Sequence, residues 1–118
     1  MTAALQDADV DLVAAWLDAL WLERGLAAHT RDAYRRDVEA LGRHVAPRRL
    51  TAVTRADVFA HLSARFEAGY RPRSTARSLS ALRGFYRWLL ELGALEADPT
   101  LDVSSPRLGR PLPDTLTE

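Results

Sequence analysis

Residues 74–93 read STARSLSALRGFYRWLLELG. On a helical wheel at about 100° per residue, Leu79, Leu82, Phe85, Tyr86, Leu89 and Leu90 gather on one side. Arg73, Arg77, Ser80, Gly84 and Arg87 fall opposite, with Arg83 at the edge, and no acid appears before Glu91. A solvated helix face normally mixes both signs, and this one does not. Arg73 and Arg77 are like charges one turn apart, which costs a few tenths of a kcal/mol. Basic residues at a helix start also oppose the helix dipole. The two arginines therefore look misplaced for stability alone, and a bound phosphate would offset both effects. Any one of these arginines reads as an ordinary solvated residue; the cluster points to a polyanion.

The rest of the chain sorts its charge in the same way. Residues 1–28 carry a net −4, residues 29–87 a net +8 and residues 88–118 a net −4, so the formal total of zero hides a basic middle. Such asymmetry hints at a polyanion partner. All 16 basic residues are arginine, and each can make a planar, bidentate contact to phosphate or guanine. The absence of cysteine excludes disulfides and thiolate metal sites. No apolar run approaches the roughly 18 residues of a membrane span. The N-terminus MTAALQDADVDL is acidic where a signal peptide would be basic, so a cytoplasmic location is the expectation.

The 118 residues suffice for one domain with a modest core. Three more helices precede the one at residues 74–92. The first is expected over about Asp9–Arg24, where Val13, Trp16, Leu17, Leu20 and Trp21 recur at helical spacing and Gly25 follows as a stop. The second starts at about Thr30, a good N-cap, carries Tyr34, Val38, Leu41 and Val45 inward, and ends before Pro47. The third opens on TRAD, with Thr54 as cap and Asp57 in the capping-box position, and buries Val58, Phe59, Leu62 and Phe66. No strand-like alternation appears. From residue 96 the composition turns to proline (Pro99, Pro106, Pro111, Pro113), which reads as an extended interdomain linker over 96–118 leading to a further domain. Residues 1–8 read as a flexible N-terminus and 9–95 as the helical domain.

In the second helix, Asp32 precedes Arg36 and Glu39 precedes Arg43 by four, the favourable order for an ion pair. Arg31 and Arg35 have no acid four residues before them and share a side, which makes them the better nucleic-acid candidates. Thr30 suits either an N-cap or a phosphate contact. Gly84 on the polar side fits a close approach by DNA or by another helix. Trp88, near that side, suits packing on a neighbouring subunit or an appended domain. His29, His44 and His61 lack metal-ligand spacing and read as surface or interhelical residues. The hydroxyls of RPRSTARS have no acid–base partner, so capping and phosphate contact are their expected roles.

WLDALWLERGLAAHTRDAYRRDV, STARSLSALRGFYRWLLELG and DPTLDVSSPRLGRPLPDTLTE, in that order, resemble the N-terminal core-binding (SAM-like) domain of XerD-type tyrosine recombinases over nearly the whole chain, from about Val10 to Glu118. The resemblance implies an all-α, compact four-helix bundle that clamps one side of a DNA duplex while a separate C-terminal domain clamps the other. It implies major-groove contacts from Thr30, Arg31, Tyr34 and Arg35 in the second helix. In the fourth it implies contacts from Arg71, Arg73, Ser74, Thr75, Arg77, Ser80 and Arg83; the charge argument adds Arg87. Tyr34 conflicts with the wheel, which turns it inward. Family chemistry needs a tyrosine nucleophile, two arginines, a lysine and an HxxR motif. This sequence has no lysine, and HTRD, HVAP and HLSA do not fit HxxR. The expectation is a segment that binds DNA without cutting it, with no metal or cofactor. The parent enzyme would work beside XerC/XerD-type subunits in a tetrameric synapse, in chromosome-dimer resolution or DNA integration. Two other readings compete: a small helical transcription regulator binding operators as a dimer, and a helical module whose basic face meets an acidic protein.

Overall fold

Apolar stripes on separate helices are stable only when they bury one another, and short connections leave these four little choice of neighbour. The computed structural model describes residues 5–104. It places α1 at Asp7–Arg24, α2 at Ala28–Val45, α3 at Arg55–Glu67 and α4 at Pro72–Glu91, with a short 3-10 turn at Leu50–Ala52. No strand occurs among the described residues. The all-α, four-helix expectation holds. Among the described residues, no helix is long and apolar enough to cross a membrane.

Each helix but α3 begins two residues ahead of its sequence-based start. Gln6, Ala27 and Arg71 are the N-caps, and none contributes a side-chain hydrogen bond. Thr30 therefore lies inside the first turn of α2 and does not cap it. Ser74 lies inside α4, whose first residue is Pro72, a position where a missing N–H costs nothing. The capping box of α3 is present as read: Thr54 Oγ1 accepts from the Asp57 N–H at 3.2 Å, and the Asp57 carboxylate accepts from the Thr54 N–H at 2.9 Å. Arg48 also donates two hydrogen bonds to Asp57, at 2.8 and 2.9 Å. With the Thr54 groups they hold the Asp57 carboxyl well below the usual carboxylate range.

The core forms where α4 meets the other three helices. Phe85 sits edge-on to Trp16 of α1 at 5.4 Å between centroids, and Tyr34 stacks on the same indole at 6.0 Å. Tyr34 is thus packed against the core, as the wheel requires. Tyr86 is fully buried, and its hydroxyl donates to the Leu50 carbonyl at 2.8 Å, which pins the 3-10 turn to α4. Asp9, also fully buried, accepts from Arg49 Nε at 2.6 Å and from the Leu50 N–H at 2.9 Å. The start of α1 is tied to that same turn. Just ahead of it, Leu5 covers Gly42 so closely that a Cβ there would collide with it. Residues 1–4 lie outside the described residues.

Three aromatic residues expected inside are not. Trp21, Phe59 and Phe66 are 50%, 55% and 46% exposed. In α3 the buried line runs Val58, His61, Leu62, Arg65, and Phe59 and Phe66 fall one position beyond it. His61 is buried against His44 of α2 with ring centroids 5.1 Å apart. Trp88 is half-buried beside Phe85 on this chain's own core. Gly84 faces Trp16, so the neighbour it approaches is α1; an added Cβ would make ordinary contact at 3.4 Å. Residues 96–104, read from the sequence as the start of a linker, lie against the globule. Pro99, Thr100 and Val103 are buried, and Asp98 accepts hydrogen bonds from the Thr100 N–H and hydroxyl. The remainder of that stretch, 105–118, lies outside the described residues.

Two measurements check this account. Thr54→Ala removes one half of the capping box, and its unfolding free energy in urea should drop by about 1 kcal/mol. The second concerns acid. Burial, His44 and Arg65 push the His61 imidazole down from 6.5 to about 4. The unfolded ring takes up a proton first, so its contribution to stability is complete above pH 6.5 and falls as the pH drops towards 4. Between those limits the unfolding free energy should decline by up to about 1.4 kcal/mol per pH unit, and His61→Phe should flatten that slope.

Candidate nucleic-acid interface

The helix starts fall into two kinds. α1 and α3 carry acids in their first turns, Asp7 and Asp9 in one and Asp57 in the other. α2 and α4 carry none, and no side chain caps them. Helix geometry leaves the first N–H groups without an intrahelical acceptor and gives that end a partial positive charge. At α4 these are the N–H groups of Arg73 and Ser74, since Pro72 has none and the Thr75 N–H bonds the Arg71 carbonyl at 3.0 Å. Arg71 and Arg73 flank them, both exposed. Free backbone donors, the helix dipole and two exposed arginines occur together at this helix start, an arrangement suited to a phosphate.

Arg77 has a different task. Its Nε and Nη2 donate to the two carboxylate oxygens of Asp37 at 2.9 and 3.0 Å. Asp37 belongs to α2 and its side chain is only 3% exposed, whereas that of Arg77 is 43% exposed. The pair fastens α2 to α4. The idea that Arg77 is misplaced for stability is therefore corrected: it neutralises a buried carboxylate forty positions away, which helical spacing cannot reveal.

The other expected contact residues divide three ways. Arg71, Arg73, Ser80, Arg83 and Arg87 are exposed, and among the described residues no carboxylate forms a salt bridge with the four arginines. Arg83 does donate to the Val103 carbonyl at 2.7 Å. Asp98 and Asp102 line the same cleft as Arg83 and Arg87, so the row is least basic at that end. Thr75 is corrected outright: at 2% exposure it faces the core and cannot reach a ligand with its side chain. Ser74 is half-buried, and its hydroxyl accepts from Arg65 at 2.9 Å. In α2, Thr30 is half-buried in the first turn.

Arg31 and Arg35 lie together in a cleft between α1 and α2, and neither is without partners. The Arg31 guanidinium sits 4.8 Å from the centroid of the Trp21 ring. Arg35 pairs with Asp32 at 3.1 Å and with Glu39 at 3.5 Å. The sequence-based pairs Asp32–Arg36 and Glu39–Arg43 do not form; Arg35 takes both acids, one three residues before it and one four after. Its side chain is 43% exposed, so these pairs contribute little and can exchange for a phosphate.

An all-helical unit with this order of helices and two uncapped basic helix starts matches the family model described as phage integrase, N-terminal SAM-like domain, over residues 13–93. The chain belongs to this family. As an integrase SAM-like domain it is similar to the tyrosine recombinase XerD of Pseudomonas aeruginosa, 50% identical over 109 residues that cover 91% of this chain and 37% of that protein. It is 45% identical to XerD of Pseudomonas putida over 112 residues, 93% of this chain and 38% of the relative. With XerD of Xanthomonas axonopodis pv. citri the identity is 45% over 116 residues, 97% and 38% of the two chains. The chain thus spans little more than a third of the length of the curated relatives it matches. No solved structure matches it.

Arg77 and Arg73 should separate cleanly in denaturant melts of the SAM-like domain. Arg77→Ala leaves Asp37 buried without a partner and should cost about 2 kcal/mol, less than a fully buried pair because the guanidinium is partly solvated. Arg73→Ala should stay within about 0.5 kcal/mol of the parent.

Proposed function

We propose that this domain binds double-stranded DNA for a site-specific tyrosine recombinase of the XerD type. It holds one side of the recombination-site duplex, and the rest of the protein closes on the other. The observation that carries this reading is the pair of helix starts, α2 and α4, with no first-turn acid and no side-chain cap. The exposed arginines Arg71, Arg73, Arg83 and Arg87 accompany the second of them. Similarity to relatives named as tyrosine recombinases supports the same reading.

In mechanism, the start of α4 meets the phosphate backbone first. The Arg73 and Ser74 N–H groups and the Arg71 and Arg73 guanidinium groups position the duplex. Ser80, Arg83 and Arg87 extend the contact along the helix. Thr30, Arg31 and Arg35 add a second strip from α2, with Arg35 releasing Asp32 and Glu39 as phosphate replaces them. Arg77 takes part by holding the two strips at a set distance. Cleavage and rejoining of strands, and assembly with XerC/XerD-type subunits in a four-subunit synapse, belong to the whole recombinase in this proposal. Its setting is the cytoplasm, in chromosome-dimer resolution or DNA integration. A regulator reading would need a dimer bound across two half-sites.

Titration with duplex DNA at several salt concentrations tests the proposal. Each phosphate contact contributes a slope of about −0.9 in log K against log salt. Replacing Arg71 and Arg73 together by Ala should flatten the slope by up to about 2. Arg48→Ala, which removes an arginine already paired with Asp57, should leave it unchanged. An unaltered slope in the double variant, or equal affinity for duplex and unrelated polyanions, would refute the reading. Absolute affinity should be modest, since a clamp loses avidity when only one half engages.

A further inference from the structure

Between the second half of α2, the last turns of α3 and the turn into α4 lies a shallow, open cavity of about 250 Å³. His44, His61, Arg65 and Tyr70 line it, together with two alanines, and no carboxylate does. His61 and Arg65 are 6% and 9% exposed, and one polar atom of each, His61 Nε2 and Arg65 Nε, is buried without a hydrogen-bond partner. They stand four residues apart on one face of α3, and both residues line the same space. Two unpartnered polar atoms lie just beneath the floor of this open cavity, and each carries a desolvation penalty that a ligand would relieve once the side chain turns toward it.

The surrounding charge selects the sign of that ligand. A metal cation could use the two imidazoles, but the Arg65 guanidinium beside them would repel it. Arg65 is already oriented: its Nη2 donates to Ser74 Oγ at 2.9 Å, and its guanidinium lies 4.2 Å from the centroid of the Tyr70 ring. The carbonyls at the end of α3 do not compete for a guest. Ala64, Arg65 and Phe66 accept from the N–H groups of Ala68, Tyr70 and Gly69 at 2.9, 3.1 and 3.1 Å. His61 is neutral at pH 7 and can offer a single N–H, while His44 is exposed at the mouth.

We propose that this cavity is an oxyanion site for a phosphate group, held by His44 at its rim and by Arg65 and His61, whose buried Nε and Nε2 donors turn up to meet it. Its occupant is either a backbone phosphodiester of bound duplex or a free phosphate. The proposal does not depend on the DNA-binding reading, because its primary probe is inorganic phosphate. Through Ser74 an occupied site would also stiffen the first turn of α4.

Imidazole 15N spectra of the 118-residue chain, titrated with sodium phosphate at pH 7 and constant ionic strength, test it directly. The His61 and His44 ring signals should shift and saturate. His44→Ala, at an exposed position, should retain the helical circular dichroism and weaken binding about tenfold. Adding duplex distinguishes the sources. If the same rings move and phosphate competes, the occupant is a backbone phosphodiester; if they stay while phosphate still binds, it is free phosphate. Either result supports the site. Rings that respond to neither probe, or a phosphate response identical in His44→Ala, would overturn it and leave the cavity to water. Salt-dependent duplex binding through Arg71 and Arg73 would persist in that event, so the two proposals fail separately.

Discussion

A carboxylate removed from water must keep a cation or the protein does not fold well, and Asp37 is such a group. At 3% side-chain exposure it depends on the two hydrogen bonds from Arg77. Apolar stripes alone would tolerate some sliding of α2 along α4, since one leucine contact resembles another. A slide of one residue would break the paired hydrogen bonds and strand the charge, at a cost of about 2 kcal/mol. The ion pair therefore selects the register in which α2 and α4 cross. The two helix starts with neither a side-chain cap nor a first-turn acid ride on those two helices, so the spacing of the basic surface is inherited from a single buried contact.

The division between capped and uncapped helices follows the same logic. At the start of α3, Thr54 and Asp57 accept each other's N–H groups, and Arg48 clasps that aspartate in turn. α4 could have used a serine, since hydroxyl residues stand close by in the sequence, yet Ser74 is engaged by Arg65. Its N–H groups stay available to an outside acceptor. A domain that filled every helix start would be more stable and would have less to offer an anion.

Helix number, and the buried faces of α4 and α2, were legible because those helices show clear periodicity and because Gly25, Pro47 and the TRAD box punctuate the chain. Helix starts were not, because Gln6, Ala27 and Arg71 serve as caps without any hydrogen-bonding side chain that a reader could look for. In the exposed part of the candidate site, Arg73, Ser80, Arg83 and Arg87 followed from charge segregation on one wheel, and Arg71 from the family resemblance alone. Its buried partners did not. Asp37–Arg77 and Asp9–Arg49 join residues forty positions apart, and no local pattern announces them. Arg65 and His61 were missed for a related reason. Polar residue types are assigned to the surface by default, and here they occupy the buried line of α3 while Phe59 and Phe66 face out.

The seat of Val103 has a mechanical consequence. Gly93 ends the last turn after α4, but the chain is held again ten residues later, where Val103 enters the core and its carbonyl takes a hydrogen bond from Arg83. Ten loose residues could swing through about 30 Å; stitched down, they contribute no slack. The described chain is therefore fixed beside the arginine row at its last core contact, with the guanidinium of Arg83 as the fastening.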